Sequence, residues 1–259
     1  MIEFLLSLST WAGCLVAMGF TAATGFVVYL VFYKLISKYK REDMKEPTNN
    51  LFRVVGMLVS LMLALAFSDV IVELRTIRNA VQRETVAISD IFEVLKLFDI
   101  ERTREIRTNL VDYSQAVIVD DWPALADDRL SKRVGALKRQ FTEGVINLKP
   151  ANPVQEKMLS HMMADIDALS DYRVVRLDSA LAKPPVYVYV IIFGFLVTMA
   201  CFGVYRPQAP LTVLVTLYTV FVGLVLYLVL ALSDPFQGDI GIAPTAFEHL
   251  VEALQSEMR

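Results

Sequence analysis

The stretch "GMLVSLMLALAFSDV", residues 56–70, decides the fold, because it reads as part of a membrane span with an ordered face of small residues. Gly56, Ser60, Ala64 and Ser68 put a small residue at every fourth position. Small residues at this spacing let helix backbones approach closely in lipid. The face therefore predicts tight helix packing, either between copies of the chain or within a monomer or dimer.

The composition is that of an integral membrane protein. The 259 residues are 55% hydrophobic and only 20% charged, with a mean hydropathy of +0.49. Residues 4–33 contain no Asp, Glu, Lys or Arg, which is typical of a membrane-spanning helix. Further apolar segments at 54–68, 184–205 and 207–233 predict four transmembrane helices in total. A cleaved signal peptide is not expected, since the chain starts with "MIE" and its first apolar run is too long.

A charged, glycine-poor region between the second and third spans predicts a water-exposed helical bundle. No Pro or Gly lies between residues 57 and 112, so the second span is predicted to continue into water as one long helix. Apolar steps of four and three run along it from Ser60 to Phe98, a spacing that keeps one face against a neighbour. At 1.5 Å per residue, this helix should extend roughly 40 Å beyond the bilayer.

These features predict an all-α integral membrane protein with five segments. The segments are the first transmembrane helix with a basic loop (1–50), the second transmembrane helix (51–68), the helical extramembrane domain (69–183), the third and fourth transmembrane helices (184–233) and a terminal corner with an amphipathic helix (234–259).

Glu84 is the only carboxylate on the long apolar stripe. Burial of its charge would require a partner, and Arg173 or Arg176 on the returning helix could supply one. Such a pair would fix the register of the two helices. A direct functional role for the Glu84 carboxylate is the alternative.

The residues that carry most enzyme chemistry are nearly absent from the sequence. The chain has two histidines and no phosphate-binding glycine loop, nucleophile elbow or paired Cys motif. His161 and Asp165 share a helix face, but a zinc site needs three or four ligands. The sequence therefore predicts no enzyme activity, no cofactor and no metal site. It also lacks the basic run that would suggest a nucleic-acid partner.

The fourth span ends in "ALSDPFQGDIGIAPTAFEHL", residues 231–250, in which Pro235 stops the helix and Gly238 permits a turn. This corner resembles the bestrophin family, whose last span is followed by Asn or Asp, then Pro-Phe, a glycine and an acidic residue. The matching residues are Asp234, Pro235, Phe236, Gly238 and Asp239, with Gln237 inserted. The paired tryptophans that bestrophins carry near the second span are missing. Residues 51–250 resemble, in order, the bacterial bestrophin-like membrane family of uncharacterised function.

The resemblance implies a function as well as a fold. Bestrophins are pentameric anion channels whose second span lines a hydrophobic neck. By this likeness, Val59, Leu63 and Phe67 would form stacked apolar rings able to gate by dewetting. The resemblance also implies a homo-oligomer, specifically a pentamer. It would be a multi-pass protein in the lipid bilayer of the bacterial inner (plasma) membrane, with inorganic anions as the permeant species. Calcium is not expected, because the run of further acidic residues found in animal bestrophins is lacking.

Two functional classes remain open at this point. The first is an oligomeric ion channel for anions with its neck on the second span. The second is a non-conducting membrane adaptor or sensor whose helical domain binds a partner. The two are distinguished by whether the stripe from Ser60 to Phe98 faces a symmetry axis or other helices of the same chain. Orientation is also open: the basic residues between Lys34 and Arg53 favour a cytoplasmic loop, whereas bestrophins have the opposite arrangement.

Overall fold

The computed structural model describes residues 9–36, 41–180, 186–238 and 240–258. Within these ranges the chain is all-helical and contains no β-strand. The helices are α1 (Thr10–Ile36), α2 (Arg41–Phe98), α3 (Arg104–Ala116), a π-helical turn (Val117–Asp121), α4 (Trp122–Ala126), α5 (Lys132–Ile146), α6 (Pro153–Ala180), α7 (Tyr187–Phe202), α8 (Ala209–Leu232) and α9 (Thr245–Met258). They form two compact units, which we call the membrane unit (Met1–Leu74 and Lys183–Gly241) and the helical unit (Arg75–Ala182 and Ile242–Arg259).

The structure supports three of the four predicted transmembrane helices. Among the described residues, only α1, α2 and α8 are long and apolar enough to cross a membrane. The third predicted span contains α7, an apolar helix of only 16 residues. Its length is about 24 Å, less than the roughly 30 Å of bilayer hydrocarbon. The helix is short because residues 203–205 leave it in a turn; residues 184 and 185 of the predicted span lie outside the described ranges.

Helix α2 is longer than its sequence suggested. It runs for 58 residues, about 87 Å, and begins at Arg41, inside the segment predicted to be a basic loop. Pro47 lies within the helix and removes one backbone hydrogen-bond donor. The prediction of a loop up to residue 50 was therefore wrong from residue 41 onward, because strong helix formers precede the single proline.

The core of the membrane unit joins three helices. Helix α2 contributes the buried residues Val59, Leu63, Ala66 and Val70. These pack with buried residues of α7 and α8, which are Val188, Ile191, Phe195, Met199, Val215, Val222, Leu226 and Val229. One face of α2 is therefore covered by the chain's own helices.

Helices α1 and α8 pack closely in the same unit. At Gly223 of α8, an added Cβ atom would overlap the Oγ1 of Thr21 on α1. The Thr21 hydroxyl donates back to the Ala17 carbonyl at 2.9 Å, so the side chain is held along its own helix. A glycine at position 223 thus permits the close approach, as expected for small residues between membrane helices.

The helical unit includes the terminal helix α9. Trp122 donates from Nε1 to the Ile242 carbonyl at 2.8 Å. Its ring also packs edge-on against Phe247 of α9, with ring centroids 6.0 Å apart. The segment 234–259, which we predicted as one piece, is thus divided: residues up to Gly241 group with the membrane unit and the remainder with the helical unit.

The π-helical turn joins α3 to α4 without a loop. The backbone N–H of Trp122 donates to the Val117 carbonyl, a bond from residue i+5 back to residue i. Asp121 and Trp122 are both buried although they are adjacent in sequence. The wider turn thus brings a carboxylate and an indole into the same core.

Candidate functional site

The predicted neck residues do not share one environment. Val59 and Leu63 are 4% and 6% exposed and pack against α7 and α8. Phe67 is 38% exposed. A side chain covered by its own protomer cannot line a pore axis, so the assignment of Val59 and Leu63 to the neck is corrected. The apolar pattern could not distinguish the buried side from the exposed side, because both faces of this segment are hydrophobic.

The small-residue face lies mostly at the surface of the chain. Ser60, Ala64 and Ser68 are exposed and Gly56 is half-buried. A Cβ atom added at Gly56 would meet no atom within 4 Å among the described residues. The Ser60 hydroxyl donates to the Gly56 carbonyl at 2.9 Å, which satisfies the hydroxyl within the helix. This face is thus available to a neighbour outside the chain.

The long stripe on α2 becomes buried within the chain as the helix leaves the apolar segment. From Val70 onward its buried members are Val70, Leu74, Ile77, Val81, Glu84, Ile88, Ile91, Leu95 and Phe98. The stripe therefore faces other residues of the same chain from Val70 onward. In the apolar part of α2, residues 54–68, the exposed face carries no charged residue.

Glu84 lies at the centre of a buried ion network in the helical unit. Arg176 of α6 donates from Nε to one Glu84 carboxylate oxygen at 2.9 Å and from Nη2 to the other at 3.2 Å. Its Nη1 donates to the Asp121 carboxylate at 3.1 Å. All three side chains are fully buried. The bidentate contact to Glu84 and the bond to Asp121 fix α2, α6 and the π-helical turn to one another.

Aromatic side chains enclose the network. The Tyr113 hydroxyl donates to Glu84 Oε1 at 2.8 Å. The pKa of Tyr113 is raised, mainly by burial and secondly by the negative charge of Glu84. The Arg176 guanidinium lies 5.5 Å from the Trp122 ring centroid and 5.8 Å from that of Phe247. Burial alone would lower the pKa of Arg176, but the carboxylate of Glu84 raises it, so the guanidinium stays charged.

The two arginines that we proposed as partners of Glu84 have different roles. Arg176 makes the ion pair with Glu84, whereas Arg173 approaches Asp121, with Nη2 3.8 Å from a carboxylate oxygen. Sequence reasoning missed Asp121 and Tyr113. The only available signal for Asp121 was an acidic residue directly before an aromatic helix start in "VIVDDWP".

The corner after α8 is a turn with one left-handed residue. Pro235 and Phe236 are buried, and Asp234 is half-buried. Gly238 has a φ of 71°, a conformation that glycine adopts without strain. The Gly241 N–H donates to the Gly238 carbonyl at 3.3 Å and closes the turn. Asp239, the last residue of the predicted motif, lies outside the described residues.

His161 and Asp165 are adjacent on α6. The imidazole Nδ1 is 3.6 Å from a carboxylate oxygen of Asp165. Burial raises the pKa of Asp165, while the neighbouring His161 acts in the opposite direction. Among the described residues, no group of three or more His, Cys, Asp or Glu side chains is arranged to hold a metal ion.

Comparison with known proteins assigns the chain to a family. The model of the bestrophin-like domain matches residues 19–247. A crystal structure of a bacterial bestrophin homologue from Klebsiella pneumoniae shares 15% identity with a TM-score of 0.65 and covers 95% of this chain and 98% of that chain. Another structure of the Klebsiella pneumoniae homologue gives 14% identity, a TM-score of 0.65 and coverage of 94% and 97%. At such identities the likeness shows the fold alone, and no curated protein matches the sequence. Because the domain model spans most of its length, this helical membrane protein belongs to the bestrophin-like domain family.

Proposed function

We propose that the protein is a homo-oligomeric, multi-pass channel of the bacterial inner membrane that conducts anions. In this proposal, copies of α2 surround the pathway, and the face of α2 that is exposed in one chain lines it. The family resemblance favours a pentamer. The small residues Ser60, Ala64 and Ser68 would bring neighbouring helices close together.

The observation that carries the proposal is the one-sided packing of α2. Its apolar part buries Val59, Leu63 and Ala66 against the chain's own helices. At 100° per residue, the opposite face carries Met57, Leu61, Ala64 and Ser68, and all four are exposed. A face that mixes leucine and methionine with small and hydroxyl side chains suits contact with other copies around a narrow path.

Apolar rings on this face would act as the barrier to ions. Leu61 is 53% exposed and Met57 is 75% exposed. Repeated around an axis, such side chains form a hydrophobic constriction that can gate by dewetting. Phe67 lies about 120° from Leu61 around the helix, so it would not stand in line with the constriction.

Charge on the same helix supports anions as the permeant species. Arg75 lies eighteen residues, or five helical turns, after Met57 and therefore shares its angular position on α2. Arg75 is exposed. In an oligomer, one arginine from each copy would form a ring of positive charge on the line of the pathway, which raises the local concentration of anions.

Helix α7 would be the fourth membrane helix in this proposal. It is about 24 Å long, and a short span is accommodated by local thinning of the bilayer. Its buried residues Val188, Ile191 and Phe195 already pack with α2 and α8. A position within the hydrocarbon would also explain its exposed apolar residues Tyr189 and Phe193.

The test is cysteine accessibility during conduction. We would replace Cys14 and Cys201 with alanine, introduce Leu61→Cys, and record purified protein in planar bilayers. Leu217→Cys on α8 is the matched control, because Leu217 is a similarly exposed leucine on another membrane helix. An anionic, water-soluble methanethiosulfonate reagent should reduce the current of the Leu61→Cys protein and leave the control unchanged.

Selectivity is measured in the same recordings from the reversal potential in asymmetric potassium chloride. The unmodified protein should select chloride over potassium, and Arg75→Gln should lower that preference. Absence of current from folded oligomers across voltage and both orientations would overturn the channel proposal in favour of a non-conducting role. Equal block at Leu61→Cys and Leu217→Cys would overturn the assignment of the pathway to α2.

A further inference from the structure

Arg173 is a buried cation without an adequate partner. The residue is 8% exposed, and its Nη1 makes no hydrogen bond to any of the residues that the structure describes. A guanidinium has five N–H donors, and a buried donor left unpaired is strongly unfavourable. Something beyond the described side chains is therefore needed to satisfy Arg173.

The neighbouring carboxylates leave the Nη1 of Arg173 without a hydrogen bond. Glu84 accepts from Arg176 through both oxygens and from Tyr113. Asp121 accepts from Arg176 Nη1 at 3.1 Å, while its distance to Arg173 is 3.8 Å, beyond hydrogen-bond range. The Tyr113 ring lies 5.9 Å from the Arg173 guanidinium and offers only its π face.

A second cation and further donors lie at the same pair of helices. Lys138 of α5 donates from Nζ to Ser170 of α6 at 2.5 Å. Burial, and next the positive charge of Arg173, lower the pKa of Lys138. One turn along α5, the buried hydroxyl of Thr142 also has no hydrogen-bond partner within the described ranges.

The balance of charge favours an anion over water as the missing partner. The buried charges of Arg173 and Arg176 balance those of Glu84 and Asp121. The half-buried Lys138 therefore adds one excess positive charge. Asp167 and Asp171 act on Lys138 from α6, but both are exposed, so solvent screens their charges. The unsatisfied Nη1 of Arg173 can only donate, and an anion accepts several such bonds at once.

We propose that Arg173 and Lys138 form a binding site for a small monovalent inorganic anion of the halide class between α5 and α6. A single excess charge matches a monovalent ion and would leave a divalent phosphate undercompensated. The site belongs to the helical unit, so the inference does not rest on conduction through α2. Its occupancy would stabilise the helices that hold the buried ion network.

The first test is anion-dependent thermal unfolding of the purified full-length protein in detergent micelles. Potassium bromide or chloride would be titrated against potassium gluconate at constant ionic strength and pH. The unmodified protein should show a saturable rise in melting temperature. Arg173→Met and Lys138→Met should each raise the halide concentration for half-maximal effect by at least about tenfold, the effect of roughly 1.4 kcal/mol of lost binding free energy.

Arg133→Met is the matched control, because Arg133 is an exposed arginine of α5 whose contact with Asp120 is at the surface. Its halide response should equal that of the unmodified protein. A melting temperature that is the same in halide and gluconate would overturn the proposal. Equal halide responses in all the variants would also overturn it, since the effect would then arise elsewhere.

The second test remains decisive even where Arg173→Met fails to fold. Crystals of the unmodified protein grown in bromide should show an anomalous peak within hydrogen-bond distance of Arg173 Nη1. Lys138→Met crystals should lose most of that peak. Water density without an anomalous signal at Arg173 would show that solvent satisfies the guanidinium and would overturn the proposal.

Discussion

Removal of Arg176 should be among the most damaging single substitutions in the helical unit. Its guanidinium makes three charge-assisted hydrogen bonds, two to Glu84 and one to Asp121. At about 1.5 kcal/mol for each such bond, Arg176→Met should lower the free energy of unfolding by about 4.5 kcal/mol. This value agrees with the roughly 3–5 kcal/mol expected when one partner of a buried ion pair is removed.

Tryptophan fluorescence during urea unfolding gives a direct measurement. The chain has two tryptophans, so Trp11→Phe leaves Trp122 as the only reporter. The Trp122 ring lies 5.5 Å from the Arg176 guanidinium and therefore monitors the network itself. All variants would be compared in this background and in the same detergent.

A double-mutant cycle separates the ion pair from general packing. Glu84→Gln keeps the side-chain shape and an acceptor for the Tyr113 hydroxyl, so it should cost about 1.5–3 kcal/mol. Arg176→Met combined with Glu84→Gln should cost less than the sum of the two single changes, because the neutral amide no longer needs the guanidinium. A loss below about 1 kcal/mol for Arg176→Met, or additive effects in the cycle, would refute the reasoning.

Three further predictions concern other parts of the chain. Gly194→Ala should destabilise the membrane unit by about 1–3 kcal/mol, because the added Cβ would overlap Val59. Gly19→Ala is the control, since its Cβ meets no atom within 4 Å among the described residues, and thermal unfolding in micelles compares the two. Gly238→Ala should lower the melting temperature, since a φ of 71° costs an alanine about 1–2 kcal/mol; an unchanged melting temperature would contradict the left-handed turn. Lys138 has a lowered pKa in the folded protein. At pH values between this pKa and the usual 10.5, the unfolded chain therefore binds more protons at Lys138 than the folded chain does. In halide-free buffer, the free energy of unfolding should therefore rise with pH in this window, and Lys138→Met should remove that part of the slope.

The sequence predicted the buried side of α2 correctly in the charged part of the helix, after Asp69. It did so poorly in the apolar part. From Val70 to Phe98 the polar residues lie on the opposite side of the helix, so the spacing alone identifies the buried stripe. Before Asp69 every face is apolar or small, and hydropathy cannot separate a side packed on protein from a side open to lipid. The structure buries Val59, not the Ser60 that the stripe had included.

Only part of the ion network could be predicted from the sequence. A lone carboxylate on an apolar stripe indicated that Glu84 needs a cation, and the spacing of α6 offered Arg173 and Arg176 three residues apart. Choosing between them depends on the rotation of α6, which no local pattern defines. Asp121 enters the network through a π-helical turn, a local irregularity for which the sequence carries no reliable signal.

That π-helical turn makes the effect of chain length on the buried network depend on position. The turn takes up one residue more than an α-helical turn, so a one-residue deletion between Val117 and Asp121 would close it to a regular helix and leave the rotation of the following residues nearly unchanged. A one-residue insertion within the regular helix α3 would instead rotate everything that follows by about 100°. Trp122 would then turn away from Phe247, and the carboxylate of Asp121 would leave Arg176. Such an insertion would act as a core mutation, although it changes no core side chain.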